Sequence, residues 1–273
     1  ILICQPNRIG GEIQMETNSS CDCAIEISQQ FARWQARQGG GEVYQSSLMS
    51  ALLAGVYEGE TTMADLLRHG DFGLGTFNRL DGELIAFERQ IHQLKADGSA
   101  RPARAEQKTP FAVMTHFRPC LQRRFDHPLS REEIHQWVDR LVGTDNVFVA
   151  FRLDGLFEQA QVRTVPCQHP PYKPMLEAIE AQPLFSFSQR RGTLVGFRCP
   201  PFVQGINVAG YHEHFITEDR RGGGHILDYA MGHGQLQLSV VQHLNIELPR
   251  NPAFQQADLN PADLDRAIRA AEG

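Results

Sequence analysis

Gly205-Ile-Asn-Val-Ala-Gly-Tyr-His-Glu-His-Phe-Ile216 is followed in the sequence by Thr217-Glu-Asp-Arg-Arg-Gly-Gly-Gly224 and then by His225-Ile-Leu-Asp-Tyr-Ala-Met231. The first and third segments contain β-branched and aromatic residues at a density that favours β-strands. The middle segment combines charged residues with three consecutive glycines, which is typical of a turn. The stretch therefore predicts two neighbouring strands joined by a tight connection, and it indicates a fold based on β-sheet.

The same stretch contains the candidate metal ligands. His212 and His214 are two residues apart, so on a strand both side chains point to the same face. A turn at 217–224 would bring His225 back beside them on the next strand. Three neutral imidazoles with one open coordination position are typical of a catalytic zinc site, although imidazole also suits copper, iron and nickel. The pattern predicts a metal site formed by these three histidines.

Glu218 leaves a second interpretation open. The spacing His212-x-His214-x₃-Glu218 matches the core of the metal motif of cupin barrels, and all three residues have the same strand parity. If the strand continues to Glu218, its carboxylate would face the metal, as in a cupin-like metal-dependent oxygenase or isomerase. If the turn begins at Thr217, Glu218 is a solvated acid. A third possibility is a non-catalytic binding module with a closed, four-ligand structural metal.

The remainder of the chain alternates short apolar runs with turn residues. We expect strands at 73–77, 83–87, 90–94, 111–117, 184–188, 192–198 and 235–243, and helices at 62–69, 130–142, 174–181 and 261–271. Asp154-Gly155 predicts a hairpin between strands at 147–153 and 159–165, because this dipeptide favours a two-residue turn.

The pattern indicates an α+β chain of two domains built on mixed β-sheets with a few flanking helices. We expect a leader and N-terminal helical segment at 1–41, an N-terminal mixed-sheet domain at 42–145, and a C-terminal mixed-sheet domain at 146–273 whose strands carry the metal site.

Composition excludes several classes of protein. The 273 residues include 26 Lys and Arg against 32 Asp and Glu, which gives a net charge of −6. Since nucleic-acid binding needs a basic surface, no nucleic-acid partner is expected. No apolar run approaches the ~20 residues that span a bilayer, so no membrane segment is expected. The six cysteines are scattered, which favours a reduced, cytoplasmic protein.

Two charged residues interrupt apolar strands far from the histidines. Glu83 precedes Leu-Ile-Ala-Phe87 after an Asp-Gly turn, and Arg163 lies in Val162-Arg-Thr-Val165. Because charged side chains are rarely buried, exposure on an outer face is favoured for both. The functional alternatives are a carboxylic acid buried for chemistry at Glu83 and a guanidinium that binds a substrate carboxylate at Arg163.

Longer strings of the sequence resemble the bacterial acetolactate decarboxylase family, most closely its enterobacterial form. They are Tyr44-Gln-Ser-Ser-Leu-Met-Ser-Ala-Leu-Leu53, His69-Gly-Asp-Phe-Gly-Leu-Gly-Thr-Phe-Asn78, Leu80-Asp-Gly-Glu-Leu-Ile-Ala-Phe87, Glu106-Gln-Lys-Thr-Pro-Phe111 and the segments 205–217 and 222–229. The resemblance runs from about residue 42 to the end. It implies a carbon–carbon lyase that uses zinc to convert 2-acetolactate to acetoin and CO₂ in acetoin and butanediol biosynthesis, as a homodimer.

The resemblance also implies roles for single residues. The implied groups are the zinc ligands His212, His214 and His225, the active-site acid Glu83, the arginine Arg163, the threonine Thr76 and a second acid from the tail, Glu272. The chemistry agrees, because loss of CO₂ leaves an electron pair that the neighbouring ketone can accept as an enediolate, and a Lewis acid stabilises that charge. An arginine can hold the departing carboxylate, and a carboxylic acid can deliver the proton.

Overall fold

The computed structural model describes residues 8–9, 12–13, 41–180 and 182–272. Within the predicted N-terminal segment, two short strands pair with each other, β1 (Arg8–Ile9) and β2 (Glu12–Ile13). The helix expected in that segment lies outside the described residues, so it stays a prediction.

The other strands cover most of the described chain. They are β3 (Gly41–Ser46), β4 (Thr61–Thr62), β5 (Phe72–Thr76), β6 (Glu83–Phe87), β7 (Gln90–Leu94), β8 (Ala100–Pro102), β9 (Lys108–Thr109), β10 (Ala112–Thr115), β11 (Leu121–Phe125), β12 (Leu129–Ser130), β13 (Phe148–Arg163), β14 (Leu184–Cys199), β15 (Gly210–Thr217) and β16 (Gly223–Glu247).

The helices of the described residues are short. They are α1 (Met49–Leu53), α2 (Met63–His69), α3 (Arg131–Val142), α4 (Met175–Ala178), α5 (Pro252–Gln256) and α6 (Leu264–Glu272), with single 3₁₀ turns at Asn78–Leu80 and Pro201–Val203. Two of them begin at capping boxes. The side chains of Thr62 and Ser130 accept from the backbone N–H of Asp65 and Glu133, and the carboxylates of these acids accept from the backbone N–H of Thr62 and Ser130. The helices expected at 62–69 and 130–142 are therefore confirmed.

Twelve of the described strands form one mixed sheet. Its path runs β13-β14-β15-β16-β3-β10-β5-β6-β7-β8, while β11 and β12 pair with β16. The strands β13 and β16 also pair with each other, so β13, β14, β15 and β16 are hydrogen-bonded in a closed ring. The β3–β16 pair is parallel, whereas the pairs within the ring are antiparallel. The expected α+β class with mixed sheet is confirmed, at 47% strand and 20% helix.

The hairpin expected around Asp154-Gly155 is wrong. Residues 148–163 form one continuous strand that pairs with β14 on one edge and β16 on the other. A Cβ on Gly155 would come within 2.3 Å of the carbonyl oxygen of His233, so glycine is needed here for close approach between strands. Asp154 accepts a hydrogen bond of 2.7 Å from Thr193 Oγ1 across the sheet. The runs expected at 184–188 and 192–198 likewise belong to the single strand β14.

The division into two domains at about residue 145 stays a prediction. Because β16 pairs with β3, strands from both halves of the described chain belong to the same sheet. Two large apolar clusters contain most of the buried side chains, one between the sheet and the helices α1, α4 and α6, the other beneath α3. No helix in the described part of the chain is long and apolar enough to cross a membrane.

Candidate metal centre and active site

The three predicted histidines meet on β15 and β16. His214 and His225 are directly paired across these antiparallel strands, and His212 lies two residues before His214 on the same face. All three side chains are buried, and one nitrogen from each lies within 4.8 Å of the others. The strand–turn–strand unit is therefore present, and its histidines form a group that can hold a metal ion.

The protonation of the histidines suits a metal. Burial, followed by the nearby charge of Arg163, lowers the pKa of His212 to about 3. Burial and the neighbouring His212 hold the pKa of His214 well below its ordinary value. Both imidazoles are therefore neutral at pH 7 and have a nitrogen lone pair available for a metal.

The tautomer of His214 is set by the backbone. Its Nδ1 lies 2.7 Å from the carbonyl oxygen of Leu84, so this nitrogen carries the proton and donates. The lone pair is then on Nε2, which lies 3.3 Å from His212 Nε2 inside the cluster. A carbonyl that orients an imidazole in this way is typical of metal-ligating histidines. The donor set of three nitrogens therefore fits zinc.

Arg163 lies beside the histidines rather than on an outer face. It pairs with His225 across β13 and β16, it is 4% exposed, and its Nη2 lies 3.1 Å from His225 Nε2. The same Nη2 donates to the carbonyl oxygen of Ala271 in the last turn of α6. The exposure favoured from the sequence is wrong, because α6 covers this end of β13.

Glu83 and Thr76 approach the cluster from the other half of the sheet. They are directly opposite each other on β6 and β5, so their side chains share a face, and both are buried. Glu83 Oε2 lies 3.8 Å from His214 Nε2. Thr76 Oγ1 donates a 2.8 Å hydrogen bond to the carbonyl oxygen of Gly82, which fixes the backbone just before Glu83. The exposure favoured for Glu83 is wrong, because β6 is an interior strand that faces β15.

One pocket joins these groups. Its polar lining comes from Thr76, Glu83, Arg163, His212 and His225. Its apolar lining includes Met49 and Leu52 of α1, Leu80, Phe111 and Val165 of the sheet side, and Met175 and Ile179 at α4. Sequence reasoning placed a short helix near α4 but missed α1. All five residues of Met49–Leu53 are buried, and a run this short has no alternation of apolar and polar faces to detect.

The two remaining acids have different outcomes. The side chain of Glu272 lies outside the described part of the chain; its backbone ends α6, one residue after the carbonyl that Arg163 contacts. Glu218 follows the last residue of β15, is 71% exposed in its side chain and pairs with Arg191 at 3.4 Å. The interpretation that Glu218 is a fourth, cupin-like ligand is therefore wrong, because the turn begins before it.

A second polar network, missed by the sequence analysis, lies behind the histidines. Glu213 points to the opposite face of β15 and is buried. Its Oε2 accepts from Arg131 Nε at 2.7 Å and lies 3.1 Å from His135 Nε2, while Tyr229 Oη donates to Oε1 at 3.4 Å. Burial opposes ionisation, but His135 and Arg131 outweigh it and hold the pKa of Glu213 below its ordinary value. The sequence did contain a signal for this network: Glu213 lies between His212 and His214, so on a strand its side chain points to the opposite face.

Fold and site together define a class of protein: a sheet-based α+β enzyme scaffold with a three-imidazole metal site open to a small pocket. The model of the alpha-acetolactate decarboxylase family matches residues 43–261. The chain belongs to the alpha-acetolactate decarboxylase family. The family predicted from the sequence is confirmed, and so is its class, a carbon–carbon lyase.

Individual relatives agree over most of the chain. It is 58% identical to the alpha-acetolactate decarboxylase of Raoultella terrigena, over 92% of this chain and 97% of the relative. It is 56% identical to that of Klebsiella aerogenes, over 94% of this chain and 99% of the relative. The crystal structure of the Bacillus subtilis strain 168 protein of the same name superposes with a TM-score of 0.84 at 41% identity, over 85% of this chain and 99% of the other.

Proposed function

We propose that this chain decarboxylates 2-acetolactate to acetoin and CO₂ with a zinc ion held by His212, His214 and His225. The observation that carries the proposal is the meeting of three buried imidazoles with a buried arginine and a buried glutamate around one pocket. The names of the relatives at 56% and 58% identity support the substrate. When bound, zinc would supply a Lewis acid that stabilises the negative charge developing on the ketone oxygen.

Arg163 binds the carboxylate that is lost. A guanidinium presents a planar fork of donors that matches a carboxylate. Its Nη2 lies 3.1 Å from His225 Nε2, so the carboxylate is held at the edge of the metal site. The bond between the carboxylate and C2 then breaks, CO₂ leaves, and the electron pair remains on C2 and moves towards the ketone oxygen.

Glu83 delivers a proton to C2. Its Oε2 lies 3.8 Å from His214 Nε2 and its side chain lines the same pocket, so the acid is beside the metal site. Thr76 fixes the carbonyl of Gly82 and therefore the position from which Glu83 projects. The apolar lining excludes water, which keeps the proton transfer between enzyme and substrate. Glu272, at the end of α6, is the second acid of the proposal.

The roles of Glu83 and Glu272 are distinguished by replacing each with glutamine, which has nearly the same shape but cannot donate a carboxyl proton. We expect Glu83→Gln to lower kcat by at least ~10²-fold, as loss of a general acid does, and Glu272→Gln to have a smaller effect. Both are measured at saturating zinc, by acetoin formation. Full turnover by Glu83→Gln would show that Glu83 is not the proton donor.

The whole proposal is tested by acetoin formation from racemic 2-acetolactate before and after chelation. Activity that disappears with a chelator and returns with zinc supports both the reaction and the metal. Folded, zinc-loaded protein that forms no acetoin overturns the proposal.

The proposal also includes a homodimer in the cytoplasm that takes part in acetoin and butanediol biosynthesis without a nucleic-acid partner. The net charge of −6 supports the last point, and six scattered cysteines support a reducing compartment. The homodimer rests on the resemblance to the family.

A further inference from the structure

The pocket has a polar floor and an apolar roof. The polar groups of the floor are His212, His225, Arg163, Glu83 and Thr76, and Leu80, Phe111 and Val165 add apolar contacts beside them. The roof is built by α1 and α4, which pack against each other and against α6. Leu52 of α1 and Met175 of α4 line the pocket and are only 4% and 7% exposed. The two sides of the pocket therefore offer a substrate different chemistry.

The backbone holds this roof in place. At the start of α1, the N–H groups of Met49 and Ser50 donate to the carbonyl oxygens of Ile206 and Gly205, each at 3.0 Å. Just before α4, the carbonyl oxygen of Lys173 accepts a 2.8 Å hydrogen bond from Tyr57 Oη. Both helices are thus tied to the main fold beside the pocket. A closely packed pocket wall that is fixed in position discriminates between ligands by size, because a larger ligand would force side chains or backbone to shift.

The substrate of the proposed reaction has a matching division. Its carboxylate, hydroxyl and ketone oxygens require the polar floor, since an unpaired buried polar group is costly. The remaining substituent on C2 is an alkyl group, which is accommodated best against the roof.

We propose that Leu52 and Met175 set the size of the C2 alkyl group that the pocket accepts, and that they are specificity-determining residues. The inference rests on the proposed decarboxylation. Leu52 lines the pocket from α1, and Met175 lines it from α4. Shortening either side chain creates space on the apolar side without altering a polar contact of the floor.

The chain offers a matched control for Leu52. Leu53 is the next residue of α1, has the same side chain, is 7% exposed and belongs to the same apolar cluster. It is not part of the lining of the pocket. A truncation at Leu53 therefore tests the general effect of a cavity in this cluster, whereas a truncation at Leu52 also enlarges the pocket.

The experiment compares 2-acetolactate with its C2-ethyl homologue, 2-ethyl-2-hydroxy-3-oxobutanoate. The quantity measured is the ratio of kcat/KM for the ethyl substrate to that for the methyl substrate. This ratio does not depend on the fraction of enzyme that is folded or metal-loaded, because both substrates use the same active molecules. Wild type, Leu52→Ala, Met175→Ala and Leu53→Ala are compared.

We expect the ratio to rise about tenfold in Leu52→Ala and in Met175→Ala, because space for one more methylene in an apolar pocket changes kcat/KM by about this factor. We expect it to stay within about twofold of wild type in Leu53→Ala, where the lining is intact. If Leu52→Ala does not fold, Met175→Ala tests the same wall from the other helix, and Leu52→Val removes less volume at the original position.

An unchanged ratio in every folded variant with a shortened lining residue would overturn the inference. An equal rise in Leu53→Ala would also overturn it, because the effect would then come from general loosening. A third substrate, the homologue with one more methylene at the acyl end, is measured in the same variants, and a rise confined to it would overturn the assignment to the C2 group. Absence of turnover of either substrate by zinc-loaded wild type would instead refute the proposed function itself.

Discussion

The two faces of β15 have opposite electrostatic environments. His212 and His214 point to the pocket, where burial and the nearby Arg163 hold the pKa of His212 at about 3 and keep the imidazole neutral. Glu213, between them, points to the other face, where Arg131 and His135 hold its pKa below the ordinary value and keep the carboxylate charged. Neighbouring residues of one strand therefore differ in protonation state: the two imidazoles are neutral, and the carboxylate between them is charged.

The difference shows how a strand can combine two polar sites without interference. Because side chains alternate between faces, the backbone of β15 separates the cation site from the buried ion pair. On the front face the imidazoles need free nitrogen lone pairs to bind a metal, and their lowered pKa values keep them unprotonated. The rear face must compensate a buried charge, so it includes a guanidinium from α3. The front face is expected to determine activity, and the rear face stability.

The largest effect is expected on the front face. His212→Ala removes one of three metal ligands and is expected to lower kcat/KM by ~10³-fold or more, the scale of metal-ion catalysis. Metal content per chain, measured with activity, checks the cause. His233→Ala, an exposed histidine of β16, is the control and is expected to retain both. Full metal content and activity in His212→Ala would exclude His212 as a ligand.

A smaller effect is expected on the rear face, and on a different observable. Arg131→Ala leaves the carboxylate of Glu213 buried without its guanidinium and is expected to lower the free energy of unfolding by about 3 kcal/mol, measured in urea. Arg68→Ala removes an exposed partner of Asp65 and is expected to change it by less than ~0.5 kcal/mol. Folded Arg131→Ala should still bind metal. Equal losses in both variants would contradict the anchoring role of Arg131.

Among the variants of the two polar sites, the smallest effect is expected from Tyr229→Phe. The phenol donates to Glu213 across 3.4 Å, which is long for a hydrogen bond. Its removal is expected to cost less than ~1 kcal/mol, because the ring remains packed against Phe157. The same urea titration measures it. A loss as large as that of Arg131→Ala would mean that the phenol, rather than the guanidinium, compensates Glu213.

The group of three histidines could be predicted because it depends on residues close together in the sequence. The parity of His212 and His214 needs only one strand, and a glycine-rich turn suffices to return His225 to them. The helices at 62–69 and 130–142 were predictable for the same reason, since a capping box is complete within four residues.

Burial of the isolated charges could not be predicted from their neighbours. Glu83 and Arg163 lie on apolar strands, but whether a strand face meets solvent depends on partners far away in sequence, here β15 and the last turn of α6. The Asp154-Gly155 dipeptide failed for a related reason. A glycine that allows a turn and a glycine that allows β16 to approach have the same local sequence, and only the pairing of three long strands distinguishes them.

The ring of strands β13–β16 sets the spacing of the groups around the pocket. Arg163, His225 and His214 occupy successive positions of one row across β13, β16 and β15. Their separation is therefore set by the ~4.8 Å spacing between hydrogen-bonded strands, a distance that side-chain substitution does not change. Strand pairing therefore fixes the distance between the backbone positions of Arg163 and the two histidines, independently of the helices above the pocket.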